Sequence, residues 1–162
     1  MKNQVWIAIA MLSLGALATH GQSAQKRPLV KADSVTFLFP EQVTVSAGKP
    51  SQVELRFRVA PGLHINSHTP MDEFLIPTVF SIPEGSGARL ESATYPAGIV
   101  IALPVDPTTK LSVYTGEFII EARIVATAGN HRVQGQLHYQ ACDNNECLPP
   151  KTLNVTMDVI GK

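Results

Sequence analysis

The sequence predicts an all-β fold of antiparallel strands, arranged as a sandwich or a barrel. From residue 35 onward, almost every segment alternates apolar and polar residues with a period of two, which is typical of strands that bury one face. Glycine, proline and asparagine, which favour turns, separate these segments. No segment has the apolar stripe of an amphipathic helix. Many short strands joined by turns are typical of both all-β architectures.

Five alternating segments are predicted to be the main strands: residues 35–39, 53–59, 118–124, 133–139 and 153–159. Because successive side chains of a strand point to opposite faces, the apolar residues of each segment are expected to face one core. Six of these residues are expected to be buried at the centre of that core: Phe57, Val59, Phe118, Ile120, Leu137 and Val155.

Residues 1–24 are predicted to be a signal peptide. Lys2 supplies a positive start, and the apolar run at residues 5–18 is too short to span a bilayer but has the length of a signal-peptide core. Cleavage is expected after Ala18 or Ala24. A short uncleaved anchor is the alternative. Export would place the chain in an oxidising compartment, where cysteine pairs form disulfides.

The rest of the chain is expected to form a single domain. Residues 25–32 are polar and predicted to be a flexible leader, and residues 33–162 have the length of one domain. The charge is balanced, with 13 Lys and Arg against 13 Asp and Glu, and the sequence has no basic stripe or lipid-binding cluster. We therefore expect no binding to nucleic acid and no stable membrane anchor after signal cleavage.

The only two cysteines, Cys142 and Cys147, lie in the sequence YQACDNNECLPP at residues 139–150. The four polar residues between them are typical of a turn, which predicts a β-hairpin with one cysteine in each arm. Cysteines that face each other at a non-hydrogen-bonded antiparallel pair lie close enough for a disulfide. Closing a loop of about six residues stabilises a fold by only roughly 2 kcal/mol, so stability alone is a weak reason for the pair. A structural hairpin disulfide in a secreted domain remains the alternative.

The period-two pattern also predicts which way the two cysteines face. Extending the pattern of residues 133–139 places Cys142 on the polar face of its strand. Extending the last strand backwards places Cys147 on the inward face. Because a disulfide needs both cysteines on one side, a break in register is expected at Pro149 and Pro150, which interrupt ladder pairing.

Two stretches together resemble a known family. YQACDNNECLPP is similar to the redox loop in the amino-terminal periplasmic domain of the transmembrane disulfide reductase DsbD. GLHINSHTP followed by DEFLIPT, at residues 62–70 and 72–78, resembles the related disulfide-bond corrector domains. The resemblance covers about residues 35–159 and implies an immunoglobulin-like β-sandwich in a stand-alone member. Four residues separate the cysteines here, where the best-known members have five, and no membrane-spanning or thioredoxin-like domain is expected to follow.

The resemblance implies thiol–disulfide exchange in the periplasm. Cys142 and Cys147 would be the catalytic pair of a relay that passes reducing equivalents to thioredoxin-like partners, such as disulfide isomerases or the thiol proteins of cytochrome c maturation. Cys147, the cysteine nearer the prolines, would join to the partner, and Cys142 would resolve the mixed disulfide. A separate membrane or thioredoxin-like protein would donate the electrons, and no cofactor is implied. The supporting residues around the pair are Tyr139, Asp143, Glu146 and Pro149.

The charges beside the cysteines favour a reducing or near-neutral relay over a strong oxidant. Asp143 and Glu146 disfavour a neighbouring thiolate, and Lys151 opposes them only in part. Strong periplasmic oxidants show the reverse behaviour, because they stabilise their reduced form.

In the family, a loop with an aromatic residue covers the disulfide and moves away when a partner docks. The resemblance places the corresponding loop at residues 99–114. Because residues 99–113 contain no aromatic side chain, the covering residues here would be Leu103, Val105 and Leu111. An ordinary long loop is the alternative.

The remaining candidate site residues are two histidines and an asparagine. His64 and Asn66 belong to the family motif, but the sequence assigns them no role. His64 and His68 would lie roughly 13 Å apart on a strand, so they are not expected to bind a metal together. Two other functions stay open: a binding module with an inert disulfide, and a copper site made by the two cysteines and a histidine.

Overall fold

The computed structural model describes residues 33–38, 42–104 and 106–162. These residues contain twelve strands and no helix, and therefore no helix long and apolar enough to cross a membrane. The signal peptide and the leader, predicted at residues 1–24 and 25–32, lie outside the described residues and stay predictions.

The twelve strands form three four-stranded sheets. In chain order the strands are β1 (Val35–Phe37), β2 (Gln42–Val45), β3 (Ser51–Val59), β4 (His64–Asn66), β5 (Val79–Ser81), β6 (Ala88–Thr94), β7 (Ile99–Leu103), β8 (Asp106–Tyr114), β9 (Glu117–Ala126), β10 (Gly129–Tyr139), β11 (Ala141–Cys142) and β12 (Lys151–Gly161). The first sheet has the order β1-β3-β9-β6, the second β2-β12-β10-β5 and the third β11-β4-β8-β7.

Nearly all strand pairs are antiparallel, as the sequence predicts. The exception among the described strands is β2, which pairs in parallel with β12. One cluster of buried apolar side chains draws on strands of all three sheets. The chain therefore has the predicted all-β class, with antiparallel sheets that enclose a common core as in an immunoglobulin-like β-sandwich.

The core contains a row of aromatic rings centred on Phe57. Its ring centroid lies 5.3 Å from that of Phe37 and 5.3 Å from that of Phe118, and Phe118 lies 4.8 Å from Tyr114. Along β3, buried and exposed residues alternate because one face of the strand lies on the core. The burial prediction is confirmed for all six core residues: Phe57, Val59, Phe118, Ile120, Leu137 and Val155.

Residues 99–114 form a β-hairpin, where the sequence predicts a loop. β7 and β8 pair antiparallel, and the Asp106 carboxylate accepts hydrogen bonds from the hydroxyls of Thr108 and Thr109 near the turn. The first half of β8 is exposed on both faces, so its sequence has no apolar alternation to predict a strand. Of the three predicted covering residues, Leu103 is half-buried, Leu111 is buried and Val105 lies outside the described residues.

Candidate redox site

Cys142 and Cys147 form a disulfide, which confirms the predicted bond. Their Sγ atoms are 2.03 Å apart and their Cα atoms are 3.9 Å apart. The two residues face each other in an isolated antiparallel bridge. A backbone hydrogen bond of 2.8 Å from the Leu148 N–H to the Ala141 carbonyl flanks the bridge on one side, and a second closes the turn on the other. The cysteines therefore occupy a non-hydrogen-bonded pair, as predicted.

The turn between the cysteines is organised by Asp143. Its backbone N–H donates to the Glu146 carbonyl at 2.9 Å. Its Oδ1 atom accepts the backbone N–H groups of Asn145, at 2.7 Å, and of Glu146, at 2.9 Å. These are the short-range bonds through which Asp stabilises turns. The same bonds lower the pKa of the Asp143 carboxyl below its ordinary value, so that the group is ionised at neutral pH.

Replacing Asp143 by alanine is expected to loosen the turn. Without the acceptor oxygen, the N–H groups of Asn145 and Glu146 would bond only to water, and their amide exchange rates should rise severalfold. Because folding lowers the pKa of this carboxyl, its stabilising effect is present above the unfolded pKa of about 3.9 and is lost as the pH falls through the folded value. Amide exchange followed by NMR across this pH range measures both effects.

Asp143→Asn is the matched control for this prediction. Its side chain keeps an acceptor oxygen and has no charge, so protection should be intermediate and independent of pH over the acidic range. Equal exchange rates in Asp143→Ala and the parent protein would show that the carboxylate does not organise the turn.

Cys142 lies in a different sheet from the strand that precedes it. β10 ends at Tyr139 in the second sheet, whereas β11 pairs with β4 in the third, which places Cys142 opposite His64. Gln140 lies at the change of sheet, where its side-chain amide donates to the Leu148 carbonyl at 3.2 Å. The prediction of a polar face for Cys142 is wrong because a period-two pattern does not continue across a change of sheet.

The two cysteines differ in their exposure to solvent. Cys142 is 3% exposed, whereas Cys147 is an exposed residue. This is the reverse of the predicted faces. The break in register predicted at Pro149 and Pro150 is confirmed: Tyr139 pairs with Lys151 and Cys142 with Cys147, so the arm that contains the prolines has one residue more than the arm that contains Gln140. Cys147 is therefore the more solvent-exposed residue of the disulfide.

Cys142 shares one buried face of the third sheet with His64 and Asn66. Cys142 and His64 are directly opposite each other, and Asn66 lies two residues further along β4, so the three side chains point the same way. Ile65 and Ala141 point the other way, into the main core. His64 is 4% exposed and Asn66 is 1% exposed.

The loop at residues 67–78 lies against the Asn66 end of this face. The Asn66 side-chain amide donates to the Ile76 carbonyl at 3.0 Å. Thr78 closes the loop, since its hydroxyl donates to the Asn66 carbonyl at 2.6 Å and its N–H donates to the first carbonyl of the loop. The loop thus contributes to the burial of the face that contains Cys142.

Two buried polar atoms on this face, His64 Nε2 and Asn66 Oδ1, have no hydrogen-bond partner among the described residues. Burial lowers the pKa of His64 below its ordinary value, and the Asp143 carboxylate opposes this effect in part. The imidazole is therefore neutral at neutral pH and able to accept a proton.

The other predicted supporting residues take separate positions. Tyr139 belongs to the hydrophobic core, where burial raises the pKa of its phenol and the Asp33 charge acts in the same direction. Glu146 and Pro149 are exposed. The covering role of the residues in and beside the β7–β8 hairpin stays a prediction for all three: Leu103, Val105 and Leu111.

His68 has hydrogen-bonding and stacking partners of its own. Its Nδ1 atom lies 3.0 Å from the Thr78 carbonyl oxygen, and its ring stacks on Tyr95 with the ring centroids 3.7 Å apart. Within residues 33–38, 42–104 and 106–162, no group of three or more His, Cys, Asp or Glu side chains is placed to hold a metal ion.

Comparison with known proteins assigns the chain to a family. The model of the N-terminal domain of thiol:disulfide interchange protein DsbD matches residues 34–158. The chain belongs to this family. Membership in the DsbD N-terminal family, together with the bonded cysteines inside the matched residues, supports a role in thiol–disulfide exchange and an exported location.

Two solved structures are similar to this DsbD N-terminal family member. The reduced N-terminal domain of DsbD from Neisseria meningitidis is 19% identical, with a TM-score of 0.48 over 71% of this chain and 82% of that chain. The N-terminal periplasmic domain of ScsB from Proteus mirabilis is 17% identical, with a TM-score of 0.46 over 75% of this chain and 44% of that chain. No curated protein matches the chain.

An exposed aromatic side chain, Phe74, lies in the loop at residues 67–78 and not in residues 99–114. Phe74 is 86% exposed, and its backbone N–H donates to the Asp72 carboxylate at 2.8 Å. The signal for it was present in the motif DEFLIPT, where a large apolar residue follows two acidic residues outside any alternating segment.

Proposed function

We propose that this chain is a periplasmic thiol–disulfide relay that passes reducing equivalents to thioredoxin-like proteins. The observation that carries the proposal is the unequal exposure of the two bonded residues, because Cys147 is exposed and Cys142 is buried. Exchange between proteins requires one sulfur that a partner can reach and a second sulfur that completes the reaction. The unequal exposure of Cys147 and Cys142 supports these two roles.

The exchange begins at Cys147 in the reduced protein. The Cys147 thiolate attacks the partner's disulfide, a bond forms to one partner sulfur, and the other partner sulfur leaves as a thiolate. Cys142 then attacks the Cys147 sulfur and the mixed disulfide breaks. Two electrons pass to the partner and the Cys142–Cys147 bond is restored. A reduced membrane or thioredoxin-like protein then reduces the pair again by the reverse steps. Disulfide isomerases and the thiol proteins of cytochrome c maturation have the chemistry that an electron acceptor of this relay requires.

The loop at residues 67–78 is the better candidate for shielding the pair. It lies against the face that Cys142 shares with Asn66, and it presents the exposed ring of Phe74. Residues 99–114 are held in strand pairing, which leaves less freedom to move aside for a partner. The Cys142 side of the disulfide would then be protected from non-specific thiols, and contact of a partner with the loop would open it.

The folded protein is expected to lose and regain its disulfide under mild conditions. We expect a redox potential between roughly −270 and −180 mV, the range of thioredoxin-like proteins, whereas structural disulfides of secreted proteins lie below about −300 mV. Thiol titration across a series of dithiol buffers measures the potential, and far-ultraviolet circular dichroism shows that the strands persist in the reduced form.

Two results would contradict the proposed function and favour another one. A bond that resists dithiols until the protein unfolds would identify an inert hairpin disulfide in a binding module. Copper bound to the reduced protein at one equivalent, measured by metal analysis after dialysis, would identify the soft-metal alternative.

A further inference from the structure

His64 is a buried titratable side chain beside the redox pair, and the exchange steps described above give it no part. Its Nε2 atom is buried without a hydrogen-bond partner among the described residues, and leaving such an atom unpaired costs stability. A buried polar group of this kind needs an explanation. The reactive side chain beside it is that of Cys142, its cross-strand partner.

The strand register places the His64 and Cys142 side chains next to each other. Residues directly opposite in an antiparallel pair have Cβ atoms about 4.5–5.5 Å apart and point to the same face. Cys147 lies directly opposite Cys142 on its other side, in the isolated bridge. The three residues therefore form a row across the sheet in the order His64, Cys142 and Cys147, with Cys142 in the middle.

Among the described residues, one negative charge acts on His64. The turn after β11 contributes the Asp143 carboxylate, which acts on His64 electrostatically, while Glu146 of the same turn is exposed. β8 contributes apolar Val113, opposite Asn66 of β4, and the loop at residues 67–78 contributes a backbone carbonyl. A carboxylate beside an imidazole stabilises the imidazolium that proton transfer would form.

We propose that His64 is the proton acceptor for the Cys142 thiol when Cys142 resolves the mixed disulfide. The inference rests on the proposed exchange function. Cys142 has little contact with solvent, and burial disfavours the thiolate that must attack. An acceptor on the same buried face removes the thiol proton where water has limited access, and Asp143 stabilises the resulting positive charge.

The resolving step balances as follows. The proton of the Cys142 thiol moves to His64 Nε2, and the sulfur electron pair forms a bond to Cys147 Sγ. The bond between Cys147 Sγ and the partner sulfur breaks, and the partner sulfur leaves with that electron pair as a thiolate. The imidazolium then returns its proton to the leaving thiolate or to water. The partner gains two electrons, and the Cys142–Cys147 pair loses two.

NMR titration of the histidine rings in the unmodified chain tests the inference without any substitution or protein partner. In the oxidised protein, the His64 ring should titrate with one inflection. After reduction by a dithiol, it should show a second inflection where Cys142 ionises, because neighbouring groups titrate as a coupled pair. The exposed His138 is the control, and reduction should leave the chemical shifts of its ring unchanged. Identical His64 curves before and after reduction would overturn the inference.

A second experiment measures the step itself with a small-molecule disulfide, dithiobis-nitrobenzoate. The reduced protein should release one thionitrobenzoate as Cys147 attacks and a second as Cys142 resolves. His64→Gln should slow the second release by about tenfold or more near pH 7 and leave the first unchanged, with the difference narrowing at high pH as the thiol ionises unaided. His138→Gln, a strand histidine away from the pair, should change neither phase.

The assay with the small-molecule disulfide and an assay with thioredoxin-like proteins separate this inference from the proposed function. Equal second-phase rates for His64→Gln and the parent at every pH would overturn the role of His64 while leaving exchange intact. If His64→Gln slows the second release as expected, but the protein transfers no electrons to thioredoxin-like proteins, the relay function is overturned and the role of His64 as proton acceptor stands. If His64→Gln does not fold, the titration of the unmodified chain decides.

Discussion

Phe57→Ala is expected to lower the free energy of unfolding by about 3–5 kcal/mol, the usual cost of removing a core aromatic side chain. Phe57 is fully buried, and it lies between Phe37 and Phe118 on adjacent strands of the first sheet. Truncation would leave a cavity bordered by the rings of Phe37 and Phe118. Because strand pairing fixes the backbones of these two residues, their side chains can fill the cavity only in part. A loss of this size is a large part of the roughly 5–15 kcal/mol that stabilises a typical domain.

Urea unfolding of the oxidised proteins, followed by circular dichroism, measures the change. Phe74→Ala is the matched control, because it removes the same ring from a side chain that is 86% exposed. We expect the control to stay within about 0.5 kcal/mol of the parent. A loss below about 1 kcal/mol for Phe57→Ala would contradict the central position of this ring in the core.

The long strands could be predicted from the sequence because each lies with one face on the core and the other in solvent. β3 is the clearest case: Val53, Leu55, Phe57 and Val59 are buried while the residues between them are exposed. The alternation of apolar and polar residues is the direct imprint of that geometry. The same argument holds for β9, β10 and β12, where the predicted inward residues meet in one cluster.

The third sheet could not be predicted because its strands are short or lack alternation. β4 is three residues long and buried on both faces, and β11 has two residues. A pattern with a period of two needs more residues than this to be recognised. The pairing of β11 with β4 joins segments more than seventy residues apart in the sequence, and local residue preferences contain no information on such a contact.

The candidate site shows the same division between local and long-range information. Cys142 and Cys147 lie opposite each other because of the turn residues between them, so this pairing could be predicted. The burial of Cys142 depends on the change of sheet at Gln140 and on β4, so the period-two pattern gave the wrong face. His64 stood out as part of a motif, but its chemical context exists only once β4 and β11 are paired.

Cys142→Ser protein is expected to accumulate a mixed disulfide with a thioredoxin-like partner that lacks its own resolving cysteine. In this variant Cys147 is the single thiol, it is exposed, and no second thiol remains to release the partner. Cys147→Ser protein should trap roughly tenfold less, because access of the attacking sulfur limits the exchange and Cys142 is 3% exposed. Non-reducing electrophoresis after acid quenching measures the trapped fraction, and the double serine variant sets the background.

The comparison between the two variants tests exposure as the reason for the order of attack. Serine is close to cysteine in size, so neither change should alter the turn that Asp143 holds through Asn145 and Glu146. Each variant should also be denatured before a second trapping assay, where both thiols are equally accessible and the difference should vanish. Equal trapping by the folded variants, or a preference for Cys142, would mean that the β11–β4 pairing opens when the disulfide is reduced. The buried sulfur would then be the partner's target, and the roles of the two cysteines would be exchanged.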